Sequence, residues 1–333
     1  MRNALMLLAG AATLAALAWW FGVGGVVTAL RAASPAGLLA YLALSIAILL
    51  LQASRWALVS AAVGGAPRFG RLVAARVAGD GLGSLLPLAR VSGDPLRAVL
   101  ARSGDTPLST ATAGVAIDRL LELIGNLLAV VVYVGVFSLA TVRGTSARTS
   151  LALGAAVMVP LACMAVLVVQ LARGNRPLAP LYGPRVRRWV PRHQHWLDGL
   201  RRVEEHLVVF FRAHRTSFVV GLACTILIEL VVVFQYRALL GAFGVELELP
   251  TLLMVLVGGG VARAVPTPAA IGALEAVQVL AVGAATGRAD LGFVVGVIVR
   301  LHETLLILVG LATLSALGFS PTRIATTPRV PPA

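Results

Sequence analysis

The sequence predicts an all-α, polytopic integral membrane protein, with about six full spans plus two re-entrant or broken helical hairpins in an inverted repeat. Three observations predict it. The chain of 333 residues is 59% hydrophobic and only 13% charged, with mean hydropathy +0.91, whereas a soluble domain carries roughly 25% charged residues. Its apolar runs reach the roughly 20 residues that a spanning helix needs. Two further apolar stretches, one in each half, are broken by proline and glycine.

In chain order, full spans are expected at about 4–29, 36–63, 108–140, 150–172, 216–243 and 291–318. The first run is longer than the core of a secretory signal and lacks a clear small-residue cleavage site, so it reads as a retained helix. The interrupted stretches lie at about 70–100 and 250–287. The first contains Pro87 and Gly93, the second Pro266, Pro268 and Gly272. Proline removes a backbone donor and breaks the helical ladder. Such breaks survive at membrane depth only where they face protein or a wet cavity. Each stretch is therefore a candidate re-entrant hairpin or pair of short helices. Residues 1–320 then form one membrane domain, with repeat one at about 36–140, repeat two at about 216–318 and a short tail at 321–333. No length remains for a separate soluble catalytic domain.

The net charge is +14, and all 28 basic residues are arginine. Basic charge in a membrane protein collects in cytoplasmic loops. The one long polar segment, about 173–215, carries ten arginines, from Arg173 to Arg215. Placing it in the cytoplasm of a bacterial inner membrane puts Arg2, Arg68, Arg71, Arg323 and Arg329 on the same side. Both termini are then cytoplasmic and the acidic Glu246–Glu248 loop is outside. Arg31, Arg143, Arg148 and Arg288 fall on the opposite side. No nucleic-acid motif accompanies the charge, so no nucleic-acid partner is expected. Within the loop, Trp196, Leu200, Val203, Leu207, Phe210 and His214 recur at helical spacing. They predict an amphipathic helix, lying either on the membrane surface or against the protein's own underside. Cys163 and Cys224 sit in apolar runs and read as small core residues. His193 and His195 read as a solvated pair, and neither a metal site nor a cofactor is expected.

The two halves resemble each other. Arg55 matches Arg237 at an offset of 182, Pro87 matches Pro266 and Gly93 matches Gly272 at 179, and Arg119 and Glu122 match Arg300 and Glu303 at 181. The unit is a helix, a broken hairpin and a helix. One extra span between units inverts the second relative to the first. Inverted repeats with discontinuous helices are a signature of transporters.

Charges inside the membrane cost at least about 2.5 kcal/mol each, yet many are predicted there. The candidate substrate-binding set is Arg55, Arg90, Asp94, Arg97, Asp118, Arg119, Glu122, Arg237, Arg263, Glu275, Arg300 and Glu303, with Asp80, Glu229 and His302 nearby. Arg119–Glu122 and Arg300–Glu303 are i,i+3 neighbours on a helix face. Each pair either neutralises itself and fixes packing or serves a ligand. Arginine's planar fork matches phosphate, and helix N-termini after the prolines add backbone donors. An Arg-lined midplane cavity holding a lipid headgroup is the expectation that joins these features.

The strings Leu85-Leu86-Pro87, Ser92-Gly93-Asp94-Pro95-Leu96-Arg97, Asp118-Arg119-Leu120-Leu121-Glu122, Ile271-Gly272-Ala273-Leu274-Glu275 and Arg300-Leu301-His302-Glu303 resemble the lysylphosphatidylglycerol-synthase transmembrane (flippase-like) family over about residues 35–318. Within it, the stretch around Pro87 looks most like the hopanoid-biosynthesis branch. Large members add a cytosolic aminoacyl-transfer domain. Its absence here implies the flippase half alone, moving a lipid with an anionic or phosphate-bearing headgroup between leaflets, and no enzyme activity. Two other readings stand beside it. One is a scaffold for lipid-biosynthesis proteins. The other is an intramembrane lipid-modifying enzyme using Asp94, Asp118 or Glu122 as acid or base.

Overall fold

The computed structural model describes residues 33–317 apart from 66, 85–91, 104–105, 141–146, 190–193 and 265–271, with residues 28 and 31 beside them. Nearly all of the expected first span, the tail, and Pro87, Arg90, Pro266 and Pro268 lie outside the described residues.

Twelve described helices follow the expected order. Repeat one consists of α1 (Pro35–Ala62), α2 (Phe69–Ser84), α3 (Asp94–Ala101) and α4 (Leu108–Ala140). Then come α5 (Ala147–Ala172), the short α6 (Ala179–Tyr182) and α7 (Pro184–Trp189), and α8 (Gln194–Ala213). Repeat two consists of α9 (Arg215–Gly241), α10 (Leu249–Ala264), α11 (Ala273–Thr286) and α12 (Ala289–Ala316). Among the described residues, α1, α4, α9 and α12 are long and apolar enough to cross a membrane, while α10 and α11 are shorter apolar helices. Each interrupted stretch is thus a pair of short helices, α2–α3 and α10–α11.

The spanning helices expose large apolar side chains, including Ile46, Val132, Val219, Phe234 and Leu308. In water these faces would be a liability; in lipid they are the solvent-facing surface. Buried positions collect on the opposite faces, in three clusters.

Helices α1 and α9 run antiparallel. The Ser34 N–H donates to Ala242 O at 2.7 Å, Gln235 Nε2 to Ser45 Oγ at 2.7 Å, and Arg55 Nη1 to Thr225 Oγ1 at 2.9 Å. Residue numbers rise along one helix as they fall along the other. Because α1 opens repeat one and α9 opens repeat two, the repeats are inverted. The remaining packing respects that exchange: α2 lies on α12, and α10 lies on α4. Small residues allow these approaches. A Cβ on Gly81 would lie 3.0 Å from Gly310 Cα.

The loop helix α8 turns Leu207, Phe210 and Phe211 inward, packed with Leu171 of α5 and Leu121 of α4. Of the two expected placements, the protein's own underside takes this face, while Trp196 stays exposed. Glu204 anchors the segment, accepting from the Leu178 N–H and the Tyr182 hydroxyl. Burial, and secondarily the Glu204 carboxylate, pushes the Tyr182 phenol up from its ordinary pKa. Cys163 corrects the core reading: it is exposed, because its position on α5 faces outward. Cys224 is half-buried and donates to Leu51 O.

Candidate functional site

Each repeat positions one arginine in the same way. Arg119 lies 11 residues into α4 and Arg300 lies 11 residues into α12. At 1.5 Å per residue both sit about 16 Å along their helices.

Each arginine grips the carboxylate at the start of its own hairpin's second helix. Arg119 Nε donates to Asp94 Oδ2 at 2.8 Å and Nη2 to Asp94 Oδ1 at 2.7 Å, while Nη1 reaches Glu122 Oε1 at 3.0 Å. Arg300 Nε donates to Glu275 Oε1 at 2.7 Å and Nη2 to Glu275 Oε2 at 3.2 Å, while Nη1 reaches Glu303 Oε2 at 3.1 Å. Each is a two-point fork on one carboxylate plus a single bond to the next. The pairing fixes Asp94 to Glu275 at the same offset of 181.

Gly93 and Gly272, matched at 179, are the N-caps of α3 and α11. Asp94 is the first residue of α3, whereas Glu275 is the third of α11, and this two-residue difference accounts for the change of offset. Gly272 adopts φ +79°, a conformation open to glycine, and Glu275 reaches back to accept its N–H at 2.9 Å. A carboxylate in the first turn of each helix also meets the positive end of the helix dipole.

Repeat one builds a second layer around Asp118, which is fully buried. Asp118 accepts from Arg55 Nε at 2.8 Å, Arg76 Nη1 at 2.9 Å and Arg97 Nη2 at 2.8 Å. Arg55 and Arg76 also reach Glu122 Oε2 at 3.3 and 3.2 Å. Arg76 pairs with Asp80, and Arg97 with Asp94. Four guanidiniums therefore face four carboxylates, and the cluster is neutral as a whole. The Arg97 guanidinium also lies 4.4 Å over the Trp56 ring, a cation–π contact.

Repeat two is sparser. Arg263, at the end of α10, donates from Nε to Glu303 Oε1 at 3.3 Å and is 42% exposed. Two arginines face two carboxylates, again neutral. Beside them Tyr41 Oη and His302 Nδ1 lie 3.2 Å apart, with their rings edge to face.

Most of the expected set thus gathers into two clusters: Arg55, Asp94, Arg97, Asp118, Arg119 and Glu122 in one, and Arg263, Glu275, Arg300 and Glu303 in the other. Arg237 joins neither; it is exposed. The fully buried neighbour Tyr236 stands 181 residues from Arg55, so the pairing of Arg55 with Arg237 is off by one residue. The expected Arg-lined cavity is also corrected among the described residues. Arg55, Arg76 and Arg97 are sealed against carboxylates, because unpaired charge could not stay buried there. Sequence reasoning missed Arg76 and Thr225. The i,i+4 spacing of Arg76 to Asp80, inside an apolar hairpin, was the available signal for Arg76.

A polytopic helical membrane protein, with matched ion clusters at the tips of two inverted hairpins, is the class that this fold and site define. The chain belongs to the family described as lysylphosphatidylglycerol synthase TM region, whose family model matches residues 6–310. Searches of curated proteins and of solved structures found no match. Membership points to a membrane-lipid-related function.

Proposed function

We propose that this protein is a non-catalytic lipid translocase of the bacterial cytoplasmic membrane. It moves a lipid with a phosphate-bearing headgroup between leaflets, with both chain termini and the basic 173–215 loop on the cytoplasmic side. The observation that carries this reading is the same three-point arginine clamp at the tip of each of two oppositely directed hairpins. A clamp that opens toward one leaflet in repeat one has its counterpart opening toward the other leaflet in repeat two, which is the symmetry that alternating access requires. The carboxylates hold the arginines when no lipid is bound and yield to a headgroup phosphate of the same geometry. Lipids are the expected partners, and lipid-biosynthesis proteins are expected suppliers of the cargo.

The test is a vesicle assay with labelled lipids of several headgroups, including membranes that contain hopanoids. Wild-type protein is expected to move at least one lipid tenfold faster than empty vesicles. Arg119→Ala/Arg300→Ala, checked for a monodisperse elution profile, is expected to lose at least nine-tenths of that rate. The single Arg300→Ala variant, at the more open cluster, is expected to fold normally and lose most of it. No movement of any lipid by folded wild type would remove the proposal and favour a scaffold.

A further inference from the structure

The constant offset of 181 exposes an asymmetry between the repeats. Arg55, Arg76, Arg97 and Asp118 of repeat one correspond to Tyr236, Val257, Gln278 and Val299 of repeat two. The buried ion network has been replaced by two neutral polar side chains and two valines. In repeat one, Arg97 Nη2 and Asp118 bond at 2.8 Å. In repeat two, Gln278 is fully buried, and neither end of its amide has a hydrogen-bond partner among the described residues. Tyr236 Oη is buried facing the Gln278 amide, without a well-formed hydrogen bond between them. Repeat one also leaves Arg97 Nε, Trp56 Nε1 and Asp80 Oδ1 unbonded, but there the Arg97 cation lies over the indole face and the other oxygen of Asp80 pairs with Arg76. A buried polar atom left unbonded is costly, because it has given up its bonds to water.

These atoms surround the one arginine of the two clusters that is substantially open. The place a Cβ would occupy on Gly259 is 3.5 Å from both Arg263 Nη1 and Gln278 Nε2. The cation and the amide thus approach the same point on the bare backbone of α10. Tyr41 and Tyr236 lie within electrostatic reach of Arg263 and Glu303. Next to Tyr41 and His302 runs an apolar groove of about 250 Å³ between α1 and α12, whose walls include Leu38, Leu42, Ile298, Leu301 and Leu305. A cation, unsatisfied polar groups and a lipid-facing apolar trough therefore adjoin.

We infer that repeat two, and not repeat one, carries the resting lipid site: Arg263, Gln278 and Tyr236 take the phosphodiester headgroup of one glycerophospholipid, and an acyl chain lies in the α1–α12 groove. This deepens the transport reading and rests on it for the ligand class. The phosphodiester accepts the hydrogen bonds that Gln278 Nε2, Tyr236 Oη and the Arg263 guanidinium offer. Repeat one, whose Arg55, Arg76 and Arg97 are sealed against carboxylates, is the counterpart without a resting ligand.

The experiment measures thermal unfolding of the full chain in detergent, with short-chain phosphatidylglycerol, with inorganic phosphate, or with a diacylglycerol of the same chains. At a hundredfold excess over Kd, wild type is expected to gain roughly 5 °C with the phospholipid and little with the other two. Gln278→Leu removes buried unsatisfied atoms. It is therefore expected to unfold at the same or a higher temperature without lipid, yet to lose most of the lipid-induced gain. Tyr236→Phe is expected to retain its lipid-free unfolding temperature and lose part of the gain. A full lipid-induced gain in both variants overturns the inference. So does an equal gain from phosphate, which marks a free-anion site, or from diacylglycerol, which marks the groove alone. Binding by wild type without transport in vesicles would remove the transport reading and leave the site standing.

Discussion

Asp118→Asn is expected to destabilise the first repeat by about 3–5 kcal/mol. Asp118 is fully buried and accepts from Arg55, Arg76 and Arg97 at once. An asparagine keeps the size but turns an amide donor toward guanidiniums that can only donate. Four cations then face three carboxylates with no water to disperse the excess. The measurement is the unfolding temperature in detergent, together with the fraction eluting as a single species. An Asp118→Asn protein that unfolds within a degree of wild type would contradict this account of the cluster.

The second large effect is expected from Gly93→Ala. A Cβ there would lie 2.0 Å from Gly79 O and 2.7 Å from Gly79 C. These are backbone atoms and cannot rotate away. The α2–α3 hairpin must open, drawing Asp94 from Arg119, and the cost should reach about 3 kcal/mol, the upper part of the usual overpacking range. Gly258→Ala is the control. Its nearest obstacle is Val277 Cγ1 at 3.0 Å, on a side chain that can turn, and its effect should stay within about 1 kcal/mol. Comparable unfolding temperatures for the two variants would show that the hairpin contact is not the constraint described.

Much of this architecture is legible in the residues. Of the five expected spans from 36 onward, four are met by α1, α4, α9 and α12, long and apolar enough to cross a membrane, while α5 lies at the fifth, and both interrupted stretches resolve into helix pairs. Arg119, Glu122, Arg300 and Glu303 were readable because charges are scarce in spans, so a recurring Arg-x-x-Glu stands out. The off-by-one pairing of Arg55 with Arg237 has a physical reason. Matching by charge selects the arginine, but one step along a helix rotates a side chain by about 100°, and burial follows rotation. Tyr236 faces inward and Arg237 outward. The gathering of Arg55, Arg76 and Arg97 on one carboxylate was not legible, because it depends on how three separate helices close on α4. Nor did spacing alone decide whether α8 lies against lipid or protein; that depends on the aromatic fit of Phe210 and Phe211 under α4 and α5.

The sequence distances within the first cluster also set a schedule for making the protein. Arg76 has Asp80 only four residues on, Arg97 has Asp94 three residues back, and Arg119 finds Asp94 already made 25 residues earlier. Arg55 is different: its carboxylates, Asp118 and Glu122, follow it by 63 and 67 residues, and Thr225 by 170. At 5–20 residues per second of synthesis, α1 waits roughly 3–13 s beside the nascent chain with a cation and no counter-ion. Its long leucine- and isoleucine-rich stretch must hold it in the bilayer during that interval. At the corresponding place α9 presents the uncharged Tyr236. Assembly therefore has a critical moment, the arrival of α4, which brings Arg55 its carboxylates.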